Sequence, residues 1–63
     1  GMMTEEAARA QIATLKPGAE IVRIKLDEDD GRYFWEGDAT LNGTRYEFSI
    51  NATTGDMVEW ERD

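Results

Sequence analysis

The sequence contains neither cysteine nor histidine among its 63 residues. Without cysteine, no disulfide can stabilise the chain, and no thiolate can bind a metal or attack a substrate. Without histidine, the chain lacks the commonest general base and the usual zinc ligand. These two absences argue against an enzyme, and we expect no catalytic residue, no bound metal and no cofactor.

Long apolar runs and an excess of positive charge are also missing. No segment approaches the roughly 18 apolar residues of a membrane span, and no signal-peptide core is recognisable. Fourteen acidic residues outnumber seven basic ones, which gives a net charge of −7. Nucleic acids and anionic membranes attract positive surfaces, so we expect neither as a partner, and we expect cationic partners to be favoured.

The chain is long enough for one small domain only. A domain of this size buries about 60% of the surface that its unfolded chain exposes. Gly1 before Met2 is typical of a tag remnant, so we expect a disordered start over residues 1–3 and a single domain over residues 4–62. The localisation follows from the same residues: cytoplasmic if Met2 is the natural start, and exported if a signal has been removed.

The first element is predicted to be a helix that begins after Thr4 and ends near Leu15. Thr4 is a good N-cap, and the acidic residues after it suit the positive end of a helix. Pro17 and Gly18 then stop the helix. One apolar stripe follows helical spacing and comprises Ala8, Ile12, Ala13 and Leu15.

The rest of the chain alternates as strands do. We predict four strands, at residues 20–26, 33–41, 44–51 and 57–61. The reversals between them are Asp27–Gly31, the type I′ signal Asn42-Gly43, and a loop ending at Gly55. The predicted class is therefore α+β, with one N-terminal helix packed on a four-stranded antiparallel β-meander.

The last two turns agree on which face of this sheet is buried. A two-residue turn at Asn42-Gly43 pairs Trp35 with Ile50, and a three-residue loop pairs Ile50 with Val58. The predicted core consists of Ile12, Leu15, Val22, Ile24, Leu26, Trp35, Phe48, Ile50, Val58 and Trp60. Gly37 lies within this face, either to leave room for the helix and aromatic rings or because a β-bulge occurs there.

Several ordered motifs resemble those of PepSY domains. They are the opening Thr4-Glu5-Glu6-Ala7 with the helix stop Pro17-Gly18, the acidic reversal ending Asp30-Gly31-Arg32, the aromatic run Tyr33-Phe34-Trp35-Glu36, and the ending Asn51-Ala52-Thr53-Thr54-Gly55-Asp56-Met57-Val58. Asn51 replaces the usual aspartate, but its side-chain oxygen can still cap a turn. Gly37 replaces the usual β-branched residue.

The resemblance implies a non-enzymatic domain with one helix on an antiparallel sheet. PepSY domains occur in propeptides of thermolysin-type metallopeptidases and in many small or membrane-associated bacterial proteins. Inhibition or local regulation of peptidases is proposed for the family, and no catalytic residue comes with it. The resemblance therefore favours a regulatory, protein-binding module.

The acidic groups of the sequence fit neither a calcium site nor a catalytic pair. The run Asp27–Asp30 does not fit a calcium-binding EF-hand loop, because with Gly31 at the sixth position the first position is Leu26. Asp38 and Glu47 are expected to oppose each other on the outer face. An open, solvated sheet face explains this pair better than acid–base catalysis.

The remaining candidate site is a protein contact on the sheet. We expect a weak contact at a sheet edge or on the side of three apolar residues placed outside the core, and the candidate residues are Ile21, Arg23, Lys25, Phe34, Met57 and Glu59. The partner would be a peptidase or a second copy of the chain, which would be a monomer or a weak homodimer. A structural role, as a self-associating domain or a subunit of a larger assembly, stays open.

Overall fold

In the computed structural model, which describes residues 1–63, the chain forms one α-helix followed by four β-strands. The helix, α1, spans Glu5–Leu15. Thr4 is its N-cap, because the Thr4 hydroxyl accepts a hydrogen bond from the Ala7 amide over 3.1 Å. Ala8 and Ile12 are the two residues that α1 buries, so one stripe of the helix meets the sheet.

The strands form a single antiparallel sheet in chain order. They are β1 (Glu20–Asp29), β2 (Arg32–Leu41), β3 (Thr44–Asn51) and β4 (Met57–Arg62). The α+β class and the helix-plus-meander architecture are confirmed.

Two reversals are two-residue turns with positive φ at both positions. Asn42 and Gly43 have φ of 53° and 79°, which is the type I′ geometry that their sequence predicts. Asp30 and Gly31 have φ of 54° and 79° and close the first hairpin in the same way. The prediction of a longer reversal from Asp27 was wrong, because Asp-Gly alone completes the turn and β1 continues to Asp29.

A β-bulge in β1 changes which of its residues face the helix. Ile21 pairs with Ala39 and Arg23 with Asp38, so Val22 is an extra residue in the ladder. Ile21 consequently packs against the core, whereas Val22 is 52% exposed. The placement of Val22 in the core and of Ile21 on the outer face was therefore wrong.

Gly37 on β2 accommodates that bulge. A Cβ atom at Gly37 would lie 1.9 Å from the carbonyl oxygen of Arg23 and 2.8 Å from its carbonyl carbon. The close neighbour is thus the backbone of β1, and the suggestion that Gly37 makes room for the helix and the rings was wrong. The alternative explanation, a β-bulge at Gly37, was partly right, because a bulge does occur beside Gly37 but lies on β1.

A second bulge, in β4, shifts the last hairpin. Ile50 pairs with Met57, whereas Phe48 pairs with Trp60 as predicted, so Val58 is the extra residue. The predicted pairing of Ile50 with Val58 was wrong, and Val58 is 58% exposed. The Asn51 amide donates to the Asp56 carbonyl, so the loop between β3 and β4 contains the four residues 52–55 instead of the predicted three.

The core is smaller than predicted and lies between α1 and the middle of the sheet. Ile12, Ala39, Phe48 and Ile50 form one buried cluster, and Ile24 and Trp60 pack against it while remaining partly exposed. Leu15 and Leu26, expected in the core, are 42% and 40% exposed. Leu15 is the last residue of α1, beyond the part of the helix that is buried.

The segment before the helix is tied to the sheet. The Met3 amide donates to the Ala52 carbonyl over 2.7 Å, and the Trp35 indole donates to the Met3 carbonyl over 2.8 Å. Met3 also packs against the core cluster. Met3 is therefore held to the sheet by two hydrogen bonds and by packing.

Candidate functional site

One face of the sheet packs on α1, and the other carries no helix. We call the second face the outer face. At the middle of the outer face, three rows of residues cross the strands. The first contains Arg23, Asp38, Glu47 and Glu61, the second contains Lys25, Glu36, Ser49 and Glu59, and the third contains Asp27, Phe34 and Asn51. No other element of the fold covers this face.

Asp38 is the best-neutralised acid of the outer face. Its Oδ2 accepts a hydrogen bond from Arg23 Nε over 2.6 Å and lies 3.4 Å from Arg45 Nη2. Asp38 is only 6% exposed, whereas both arginine side chains are about half exposed or more. The Arg23 hydrogen bond lowers the pKa of Asp38, and the charges of both arginines act in the same direction against the desolvation of the carboxylate.

Four glutamates on the outer face of β2, β3 and β4 have no such partner. We call Glu36, Glu47, Glu59 and Glu61 the acidic tract. None of them belongs to a salt bridge, although Lys25 lies opposite Glu36 in the ladder. Desolvation raises the pKa of Glu59, and the charges of the other three carboxylates raise it further.

Ser49 lies at the centre of the acidic tract. It pairs with Glu36 on one side and with Glu59 on the other, and it is only 7% exposed. Ser49 lines a shallow depression together with Phe34, Glu36 and Glu59, and its hydroxyl forms no hydrogen bond within the protein. The depression therefore has a polar floor and acidic sides.

The β4 edge carries a separate apolar groove. It is lined by Leu15 and Lys16 at the end of α1 and by Met57, Val58 and Trp60 of β4. The Trp60 ring stacks on Tyr46 with 4.6 Å between centroids, and the Lys16 ammonium lies 5.0 Å from the Trp60 ring. The rings are thus held in place, while Leu15 and Val58 are exposed.

The structure does not bring the six predicted contact residues together on one face. Arg23, Lys25, Phe34 and Glu59 lie on the outer face. Met57 packs against the core, as Ile21 does, so its placement on the outer face was wrong. The two bulges are the physical reason, since one inserted residue reverses the faces of the residues before it.

Of the acidic tract, sequence reasoning named only Glu59 as a candidate contact residue, and it missed Ser49. It paired Asp38 with Glu47 correctly, but treated the pair as a solvated repulsion, whereas Asp38 is neutralised by two arginines. The signal for the tract was available, because the predicted register of the two C-terminal hairpins already placed these glutamates on one face. The burial of Ser49 carried no such signal.

The Asn51 turn confirms one expectation about a departure from the family pattern. Asn51 Oδ1 accepts hydrogen bonds from the amides of Thr53 and Thr54 over 2.8 and 3.0 Å. The Gln11 side chain donates to the Gly55 carbonyl over 2.8 Å and joins this turn to α1. The amide side chain of Asn51 thus supports the turn without a charge.

The fold offers neither a metal site nor a membrane-spanning helix. No group of three or more acidic side chains is arranged to hold a metal ion. The single helix is neither long nor apolar enough to cross a membrane.

Comparison with known proteins identifies a family and a curated relative. The family model described as "Peptidase propeptide and YPEB domain", named PepSY, matches residues 2–61. The chain is 40% identical over 62 residues to the uncharacterized protein YkoJ of Bacillus subtilis (strain 168). The aligned residues cover 97% of this chain and 36% of that relative. The chain thus spans about a third of the length of this curated relative. No solved structure matches.

Proposed function

This chain belongs to the PepSY family, and from that membership we propose that it is a non-catalytic module that binds a protein partner through the outer face of its sheet and regulates it. The chain has no histidine or cysteine with which to build the commonest catalytic groups. Its folded domain instead offers a surface.

The observation that supports this proposal best is the uncovered outer face. An antiparallel sheet can leave one face in water, but such a face is usually polar and evenly solvated. Here it combines a buried ion-paired Asp38, a buried Ser49 and partly buried Phe34 with four unpaired glutamates. Burial of polar groups on an open face gives a fixed arrangement that a partner can recognise.

We propose a peptidase as the class of partner. The family is described by its occurrence as a peptidase propeptide domain. A domain of this kind would act by occupying a surface of the peptidase, so its effect would depend on binding and on no chemistry of its own. The partner's regulation would then follow the bound fraction.

An inhibition assay with a thermolysin-type metallopeptidase tests this proposal. We expect the protein to lower peptidase activity in a dose-dependent manner, and the Glu47→Lys variant, altered at the exposed centre of the outer face, to lose this effect. Glu6→Lys is the matched control, because it makes the same charge change at an exposed position of α1. Equal loss in both variants, or loss only in Glu6→Lys, would place the contact elsewhere.

Self-association through the β4 edge is the second candidate function, and the exposed apolar groove favours it. Val58 is 58% exposed on an edge strand, where unpaired backbone groups can accept another strand. Sedimentation of the wild type and of Val58→Lys over a range of concentrations tests it. A dimer that only the wild type forms would support this role.

A further inference from the structure

We propose that the acidic tract is the docking surface for an extended, lysine- or arginine-bearing segment of a partner protein, with one cationic side chain seated over Ser49 between Glu36 and Glu59. This inference rests on the proposed function, and it specifies the chemistry of the segment that the outer face would take. The acidic charge of the tract is complementary to such a segment.

The spacing of the tract suits a cationic side chain better than a metal ion. Glu36, Ser49 and Glu59 are consecutive in one row across β2, β3 and β4. Because adjacent strands lie about 4.8 Å apart, the two glutamates leave the backbone roughly 10 Å from each other. Calcium binds several oxygens at about 2.3–2.6 Å, whereas an ammonium or guanidinium group with three to five donors can bridge more widely placed acceptors.

Ser49 is the observation that points to a ligand beyond the negative charge. Ser49 as a residue is more than nine-tenths buried, and its hydroxyl has no hydrogen-bond partner within the protein. No enclosed side-chain polar atom lacks a partner, so this hydroxyl oxygen is open to solvent and can be reached by a ligand. It faces the depression that Glu36 and Glu59 flank. A cationic side chain entering there could donate to the Ser49 oxygen and to a carboxylate at once.

The edge strand explains why the cation should belong to an extended segment. β4 is an edge of the sheet, and its outward side chains Glu59 and Glu61 are two positions apart. A strand that pairs with β4 would present its own side chains with the same alternation. Lysine or arginine at alternate positions would then meet both glutamates. The other edge suits a cationic segment less well, because the outward side chains of β1 include the basic residues Arg23 and Lys25.

Arrival of a cation would also relieve an existing repulsion. The raised pKa of Glu59 reflects burial and the nearby charges of Glu36, Glu47 and Glu61. On the other half of the face, Arg23 and Arg45 already neutralise Asp38. The unneutralised half is therefore where an added positive charge gains most.

The test is an amide-shift titration of the full chain at low salt with a synthetic peptide of about ten residues that alternates lysine and threonine. We expect the largest shifts at Ser49, Glu59 and Glu61, and a loss of binding at higher salt. A peptide that alternates glutamate and threonine should not bind. Spermidine provides a third arm, since it carries the same ammonium chemistry without a peptide backbone.

Variants distinguish binding of a cation over Ser49 from general attraction to an acidic protein. We expect Glu59→Gln to weaken binding of the lysine peptide about fivefold or more and Ser49→Ala to weaken it less. Glu6→Gln removes the same charge from α1 and should leave the affinity unchanged. Equal weakening by Glu59→Gln and Glu6→Gln would overturn the proposal, as would spermidine binding as tight as the peptide.

Failure of this inference can be told apart from failure of the proposed function. If Glu47→Lys abolishes peptidase inhibition while Glu59→Gln and added salt change nothing, the outer face binds a partner by other chemistry and the inference is wrong. If the lysine peptide shifts only amides of α1, or none, the inference is also wrong. Peptidase inhibition that Glu47→Lys leaves intact would instead contradict the proposed function.

Discussion

At the residue scale, Gly37 is the position at which the neighbouring backbone leaves no room for a Cβ atom. The carbonyl of Arg23 occupies the space in which a side chain at position 37 would begin. The bulge that brings this carbonyl so close also turns Arg23 toward Asp38, with which it pairs in the ladder and forms its hydrogen bond. Local packing and the charge arrangement of the outer face therefore depend on the same glycine.

We expect Gly37→Ala to destabilise the protein by roughly 2–3 kcal/mol, because the added methyl group forces the backbones of β1 and β2 apart. Urea unfolding followed by tryptophan fluorescence measures this change. An unchanged midpoint would show that β1 does not approach Gly37 so closely.

Asp38 makes stability depend on acidic pH. Its pKa in the folded protein is lowered from its ordinary value of 3.8, so its contribution is complete above that value and disappears as the pH falls through the folded pKa. We expect Asp38→Asn to be less stable than the wild type at pH 7. Their unfolding midpoints should converge as the pH falls through the folded pKa of Asp38, and a constant difference would contradict this assignment.

Ionisation of Glu59 changes the stability of the protein in the opposite direction to ionisation of Asp38. Because the folded pKa of Glu59 is raised, its ionisation opposes folding at neutral pH, and this penalty fades as the pH falls through the folded pKa toward the ordinary value of 4.5. We expect Glu59→Gln to be more stable at pH 7, by roughly 0.2–1 kcal/mol, since like charges on adjacent strands repel. Thermal unfolding at pH 7 and pH 4 checks this, and a destabilised variant at pH 7 would contradict it.

At the element scale, the helix and all four strands were predictable, whereas the bulges were not. Thr4, Pro17 and the Asn42-Gly43 turn act through local chemistry that can be read along the chain. A bulge depends on how one backbone meets its neighbour across the sheet, and period-two alternation cannot reveal it. Val22 and Val58 were therefore placed in the core, although each is the extra residue of a bulge.

Substitutions at the two bulge residues test whether Val22 and Val58 lie outside the core. We expect Val22→Thr and Val58→Thr to change stability by no more than about 0.5 kcal/mol, because both side chains are exposed. Ile50→Ala, at a fully buried neighbour of the β4 bulge, should cost about 2–5 kcal/mol. Large losses at either valine in urea unfolding would show that the bulge assignment is wrong.

At the scale of the whole molecule, one short helix covers one face of a four-stranded sheet and leaves the other face to water. The net charge of −7 predicted a preference for cationic partners, but not where that charge would lie. The register concentrates unpaired glutamates on β2, β3 and β4 and places the arginines around Asp38. The location of the candidate site was thus partly predictable, while the burial of Ser49 required the packed sheet.

The most direct measurement is an amide-shift map of the labelled protein during titration with a thermolysin-type metallopeptidase. We expect the shifts to concentrate on outer-face residues such as Phe34, Glu47 and Ser49, and to leave the exposed side of α1, around Arg9 and Ala10, unchanged. Shifts confined to α1, or none at saturating peptidase, would contradict the proposal that this PepSY domain binds its partner through the outer face of the sheet.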